Sequence, residues 1–301
     1  MTKQTIRFII NPHSGIRLKQ EVQRMIKRHL NHSVFDYDIQ YTAYPKHATA
    51  LAQVAVSENI DIVVAVGGDG SVNEVAAGLI GSNTILGILP VGSGNGFAGH
   101  LGLGRGAKKA LKILNQQQSV IIDTCTVNNL PFVNLVGFGF DGLIAKELKG
   151  SKVRGIYGYT RSVIRHIFNY QPIHYTIKTE ETTLQRTAFM LNVVNGTTYG
   201  YSFHFHSKAK LNDGLIHLLI FKNVARWKYF GLLLIALRGK IHESSLVEIY
   251  DLQKVIISTS SPTYMEIDGD SFETNSPFEV NIIPKSLRVA VPQNSAYLIR
   301  R

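Results

Sequence analysis

The run DIVVAV, Asp61 to Val66, is apolar at every position after the first, stops on Gly67-Gly68-Asp69-Gly70, and passes at once into the helix-like SVNEVAAGL. A strand that is apolar on both faces must be covered on both faces, as happens in a parallel sheet flanked by helices. Similar runs recur as TIRFIIN, DYDIQYT, TILGILP and SVIIDT. Helical segments between them are predicted over Leu18 to Leu30, Ala48 to Glu58, Ser71 to Ile80 and Gly106 to Asn115. Strands alternating with helices in this way predict an α/β domain over residues 1–123. Ligands of such sheets gather beyond the carboxyl ends of the strands.

Three glycine-rich loops fall at those ends: NPHSG after the first strand, GGDGSVNE after the third and PVGSGNGFA after TILGIL. Glycine loses more entropy on folding than any other residue, so three such loops at one edge imply that something comes close to the main chain. A strand end that turns into a helix presents free N–H groups and the positive end of the helix dipole, an arrangement that binds phosphate. Asp69 repels phosphate unless a cation lies between them; Mg2+, held by a carboxylate together with phosphates, removes the conflict. Asp69 otherwise serves to take a proton from a hydroxyl. The competing interpretation is a Ser71/Glu74 capping box with Asp69 in a tight turn. No G-x-x-x-x-G-K-[ST] is present. The G-x-G-x-x-G of Gly94, Gly96 and Gly99 lacks the acid some ~20 residues on that holds a ribose, which excludes a dinucleotide site of that type.

After Cys125 the chain offers mainly β-type runs: PFVNLVGFGF, IHYTIKT, TAFMLNVVNG, GLIHLLIF, KVIIST, PTYMEIDGD and FEVNIIP. They predict an antiparallel sandwich. Two basic helical segments interrupt it, near 154–170 and 225–239. The single cysteine can form neither an internal disulfide nor a multi-thiolate metal site, and is expected to be a small buried residue. The densest apolar run, YFGLLLIAL, is half the ~20 residues needed to span a bilayer, and no signal-peptide pattern opens the sequence. A cytoplasmic location is therefore expected. The net charge of +11 favours anionic partners, but no nucleic-acid-binding module accompanies the basic residues, so nucleic acid is not an expected partner.

Taken in order, NPHSG, GGDGSVNE and PVGSGNGFA, continued by FGFDG, LNDGLIHLLIF and EIDGD, resemble the diacylglycerol kinase catalytic-domain family, which includes bacterial lipid kinases and the sphingosine and ceramide kinases. The resemblance implies an α/β plus all-β fold: an N-terminal Rossmann-like nucleotide domain (1–123) and an antiparallel β-sandwich lipid-substrate domain (124–287). Residues 288–301 are open to packing back on the first domain. It further implies that ATP and a lipid meet in the cleft between the domains, with a place in phospholipid metabolism. Nucleotide contacts would fall on Asn11, Pro12, His13, Ser14, Gly15, Thr42, Gly67, Gly68, Asp69, Gly70, Ser71, Val72, Asn73, Ser93, Gly94 and Asn95. Asp69, Asp268 and Asp270 would be the catalytic acids, one of the last two accepting a proton. A metal, with Mg2+ expected, would be held by the carbonyls of Lys210 and Leu215 and the carboxylate of Asp213. Asp141 would face the lipid headgroup.

The chain departs from the pattern at three positions. Gly96 stands where many relatives have aspartate, Asp270 replaces the commoner glutamate, and Ser71 replaces threonine. The first two keep open a non-catalytic lipid- or nucleotide-binding protein; a kinase of a soluble hydroxyl compound, like the NAD kinases with their GGDG loop, is the other alternative. In EIDGD, Asp-Gly is also the strongest hairpin signal, which would leave solvated carboxylates. At helical spacing Arg154, Arg161 and Arg165 lie opposite Ile156, Tyr159, Val163, Ile167 and Tyr170, a pattern suited to reversible attachment to an anionic bilayer. Trp227, Tyr229 and Phe230 beside Arg226, Lys228, Arg238 and Lys240 repeat it. Oligomeric state is left open, a homodimer included.

Overall fold

The computed structural model describes residues 3–12, 18–92, 94–104, 106–149, 155–196 and 209–298. The chain forms two compact units, one running to Ile122 and resuming at Lys285, the other Asp123–Pro284.

In the first unit β1 (Gln4–Ile10), β2 (Phe35–Tyr41), β3 (Ile62–Gly67) and β4 (Ile85–Pro90) are parallel, in the order β4-β3-β1-β2. The helices are α1 (Leu18–His29), α2 (His47–Ser57), α3 (Asp69–Leu79), the short α4 (Gly96–His100) and α5 (Ala107–Leu114). Every residue of β3 is buried, as its unbroken apolar run requires. Ile6, Phe8 and Ile10 of β1 pack with Val22 and Ile26 of α1 and with Leu111 and Leu114 of α5. Each such side chain contributes about 1.5–3 kcal/mol of burial. Val22 and Ile26 share one helix face by their i, i+4 spacing. Arg288 and Val289, near the end of β15 (Phe278–Ala290), pair in parallel with Ile85 and Leu86.

The second unit is an antiparallel β-sandwich region. Its strands are the last part of β5 (Ser119–Val127), β6 (Leu130–Phe132), β7 (Leu135–Gly139), β8 (Ile173–Lys178), β9 (Thr183–Val194), β10 (Ile216–Lys222), β11 (Val247–Leu252), β12 (Lys254–Thr259), β13 (Thr263–Ile267), β14 (Asp270–Thr274) and the first part of β15. They run in the order β14-β13-β7-β9-β8-β12-β15, with β10 joining β9 to β11. Strand alternation divides the core in two. Leu218 and Ile220 of β10 face a cluster with Phe138, Tyr175, Leu191 and Phe278, while Leu219 and Phe221 face a cluster with Phe140, Phe189 and Tyr229. That second cluster is covered by α6 (Phe140–Lys149), α7 (Gly155–His166) and α8 (Lys228–Leu237).

The third helix is predicted from Ser71, whereas α3 begins at Asp69. No element is predicted at α4, α6, β11 or β14, and the single predicted run PFVNLVGFGF divides into β6 and β7. α6 follows the buried run LVGFG with no polar break to announce it, the chain turning at Gly139 with φ +82°. Cys125 is fully buried, and burial pushes its thiol pKa well up, helped by the charges of Asp268 and Asp123. Among the described residues no helix is long and apolar enough to cross a membrane.

Candidate functional site

The strand order of the first unit brings four sequence-predicted segments to one edge. Asn11, Thr42, Gly68 and the 91–92 backbone follow the carboxyl ends of β1, β2, β3 and β4, which are neighbours in the sheet. The Thr42 N–H donates to the Ile10 carbonyl at 3.0 Å and the Val91 N–H to the Gly67 carbonyl at 3.1 Å, so these ends stay in register past the strands. Asn11 Nδ2 lies 3.4 Å from Ser71 Oγ, linking the first loop to the first turn of α3. His13, Ser14, Gly15 and Ser93 lie outside the described residues.

The glycines meet another backbone before they meet a ligand. A Cβ on Gly92 would sit 2.5 Å from Gly68 Cα and 2.9 Å from Asn95 Oδ1, so the loops after β3 and β4 touch main chain to main chain. Asp69 fastens the same pair. Its carboxylate accepts the N–H of Phe97 at 3.3 Å and further bonds from the amides of Gly96 and Asn95. Burial raises its pKa, and those amides oppose the rise by favouring the charged form. The carboxylate of Asp69 is thus turned toward the amides at the start of α4.

Ser71 and Glu74 form no capping box. The N-cap of α3 is Gly68, and no side chain caps it. Glu74 instead accepts the N–H groups of Lys46 at 3.1 Å and Ala48 at 3.3 Å at the start of α2. The first N–H groups of a helix have no intrahelical partner, and they sit at the positive end of the dipole. In α3 these are the amides of Asp69, Gly70 and Ser71, with Val72 the first to bond back, to Gly68 at 3.0 Å. Asn73 lies in the following turn. Gly94 and Asn95 complete the rim, Asn95 in the left-handed region with its Nδ2 on the Gly92 carbonyl at 2.6 Å.

In the second unit the EIDGD hairpin closes β13 onto β14, with Asp268 and Gly269 at φ +44° and +96°. The two acids of the motif differ sharply. Asp268 is buried at 4% exposure, and its carboxylate accepts the amides of Val133 at 2.8 Å, Asn134 at 3.2 Å and Leu135 at 2.8 Å. Asp270 is exposed. Of the solvated carboxylates that a simple hairpin would leave, only Asp270 remains.

Asp141, expected to face a headgroup, is 1% exposed in the first turn of α6. Its carboxylate receives Asn192 Nδ2 at 2.6 Å and is hydrogen-bonded to Glu266. Glu266 and Asn192 carry no signal in the sequence beyond being polar residues inside apolar strands. The loop before β10 carries Lys210, Asp213 and Leu215; the Leu215 N–H donates to Asp213 Oδ1 at 3.1 Å, and the Gly214 N–H to Asp123 Oδ2 at 2.7 Å. A carboxylate and carbonyl oxygens are donors of the type that hard cations take. Among the described residues no group of three or more His, Cys, Asp or Glu side chains is placed to hold a metal.

Comparison with known proteins fits this arrangement. Residues 5–127 match the model of the diacylglycerol kinase catalytic domain, and residues 134–291 match that of the YegS C-terminal NAD kinase beta sandwich-like domain. A probable lipid kinase YegS-like of Chromohalobacter salexigens is 31% identical over 255 residues, 82% of this chain and 81% of the relative. The chain belongs to the diacylglycerol kinase catalytic-domain family. A diacylglycerol kinase of Bacillus subtilis is 25% identical over 301 residues, covering 96% of this chain and 97% of that one. Among solved structures, a putative diacylglycerol kinase from Bacillus anthracis superposes with a TM-score of 0.81 at 20% identity, covering 98% and 99% of the two chains. An NAD kinase from Archaeoglobus fulgidus shares the fold with a TM-score of 0.53 at 10% identity, covering 96% and 94%. The second unit of this family member thus has the architecture of the NAD kinase sandwich domain.

Proposed function

We propose that this lipid kinase family member transfers the γ-phosphoryl group of ATP to a hydroxyl of a diacylglycerol-like or sphingoid lipid, as a peripheral enzyme on the cytoplasmic face of an anionic membrane. The observation that carries the nucleotide half is the rim built by Asn11, Thr42, Gly67 to Asn73, Gly94 and Asn95 at adjacent strand ends. Phosphoryl transfer asks mainly for positioned phosphates and neutralised charge. In this reading the α3 amides receive phosphate oxygens, and Asp69 acts by fastening the two glycine loops rather than by touching a cation. Asp270, exposed and one residue past the turn, is the base for the lipid hydroxyl. Asp268, committed to three amides, holds the turn. Mg2+, when bound, supplies charge neutralisation on the phosphates; the Lys210, Asp213 and Leu215 oxygens are the donors suited to a further cation.

The lipid half is supported by the exposed face of the second unit, in a form different from the sequence expectation. The stripe of Tyr159, Val163, Ile167 and Tyr170 packs into the sandwich core, so it is not available to a bilayer. Arg154 and the side chain of Ile156 lie outside the described residues. Among the described residues of this segment the large apolar groups left in solvent are Tyr157, Ile164 and Phe168, on the same side as Arg161 and Arg165. Tyr229 likewise turns inward, its hydroxyl donating to the Lys222 carbonyl, while Trp227, Phe230 and Leu234 stay exposed beside Lys228, Arg238 and Lys240. Phe168 and Phe230 approach to 6.1 Å between ring centroids, joining the two sets. Apolar and basic side chains interleaved on one face suit the headgroup region of anionic lipid.

A transfer assay tests both halves. With γ-labelled ATP, Mg2+ and phosphatidylglycerol vesicles carrying diacylglycerol or sphingosine, label is expected in the lipid phase. Phe168→Ala, Trp227→Ala and Phe230→Ala combined should cut that transfer roughly tenfold or more, since each buried aromatic contributes about 1.5–3 kcal/mol, while a dispersed short-chain substrate is phosphorylated normally. Label confined to water-soluble products would favour a soluble-substrate kinase, and no transfer under any metal condition a non-catalytic binder. Unchanged transfer by the triple variant would remove the docking face.

A further inference from the structure

Three strands of the second unit align one row of residues: Gly137 of β7 pairs with Asn192 of β9 on one side and with Glu266 of β13 on the other. Directly paired residues project to the same face of a sheet, so the missing side chain of Gly137 leaves a gap between Asn192 and Glu266. Asp141 folds back from α6 into that gap. A Cβ on Gly137 would lie 2.4 Å from Asp141 Oδ2 and 2.8 Å from Asn192 Nδ2, so any other residue would evict the carboxylate. Asn192, Asp141 and Glu266 are 0%, 1% and 3% exposed.

Two carboxyls in hydrogen-bond contact at such burial cannot both be charged. Burial pushes the Glu266 pKa well up, the charge of Asp141 and its hydrogen bond add to the rise, and the Gly269 amide opposes it. Asn192 Nδ2, a donor, stabilises the charge on Asp141. Glu266 also reaches the other way, its Oε1 accepting the Gly269 N–H at 2.9 Å. The turn is therefore held from two directions, by Glu266 at Gly269 and by the 133–135 amides at Asp268. Asp270 is the next residue along the chain.

We propose that Glu266 is a positioning residue that works as a neutral acid, its proton bonded to Asp141 and its carbonyl oxygen to the Gly269 amide, so that the start of α6 fixes the direction of Asp270. This rests on the assignment of Asp270 as base. Glu266 does not touch substrate in this scheme, and its charge is not used.

Glutamine reproduces a protonated glutamate: Nε2 donates to Asp141 and Oε1 accepts from Gly269. The full-length protein with Glu266→Gln is therefore expected to keep kcat within about threefold, because both hydrogen bonds survive. Glu266→Ala loses the latch and should lower kcat by roughly tenfold to a hundredfold with KM for ATP unchanged, as a misplaced catalytic group does. The probe is dioctanoylglycerol in phosphatidylglycerol vesicles. Infrared spectra at neutral pH should show a protonated-carboxyl band in the wild type that Glu266→Gln lacks, a signature that packing alone would not produce. A folded Glu266→Gln protein with kcat reduced a hundredfold, identical infrared spectra for the two proteins, or wild-type kcat in Glu266→Ala would each overturn the proposal. If the alanine variant does not fold, the glutamine variant and the infrared band decide. An active Asp270→Asn protein would sink the base assignment instead, while the infrared band would still report on the Asp141–Glu266 pair.

Discussion

Asp270→Asn is expected to lower kcat by at least ~10²-fold, the loss that follows when a general base becomes an amide of the same size. Because Asp270 is exposed at the start of β14, the change should alter stability by no more than about 0.5 kcal/mol. Steady-state transfer to a diacylglycerol probe, run beside a thermal melt, reads both quantities. Glutamate keeps the carboxylate and lengthens its reach by one methylene, so Asp270→Glu is expected to stay active. Near-normal turnover in Asp270→Asn would move the base elsewhere.

Asp268→Ala is expected to act on the other quantity. Three buried amides lose their acceptor at once, and an unsatisfied buried group costs about 1–3 kcal/mol, so destabilisation of about 3 kcal/mol or more follows. Urea unfolding with an unchanged m-value would show it as a lower midpoint. A variant as stable as the wild type would mean that water replaces the carboxylate on those amides. Two aspartates separated by one glycine thus have opposite signatures, one in rate and one in stability. The left-handed turn at Asp268 and Gly269 produces the division by sending Asp268 inward and leaving Asp270 in solvent.

The parallel sheet was legible because DIVVAV and its companions are apolar on both faces, which only a doubly covered strand tolerates. The EIDGD hairpin was legible from its Asp-Gly turn. What the sequence leaves hidden depends on partners far along the chain. The glycines of GGDG and PVGSG require a close approach, but only the folded chain reveals that Gly68 and Gly92 approach each other. Ser71 and Glu74 have capping-box spacing, yet Glu74 serves α2, a helix 26 residues away by its bond to Ala48. Helical periodicity found two faces on α7 but could not say which one the sandwich would claim, and it claimed the more apolar. Asp141 is expected from the resemblance to face a headgroup, whereas its burial goes with Asn192 and Glu266, which no local pattern connects to it.

In the proposed mechanism polyphosphate rests on main-chain amides at the carboxyl edge of the first sheet. The most direct test is amide NMR of the glycine-labelled protein titrated with Mg2+ and a non-hydrolysable ATP analogue. Saturable shifts should concentrate at Gly67, Gly68, Gly70, Gly94 and Gly96, with Gly81 and Gly269 unmoved. Shifts absent from those glycines at a saturating analogue concentration would contradict the account.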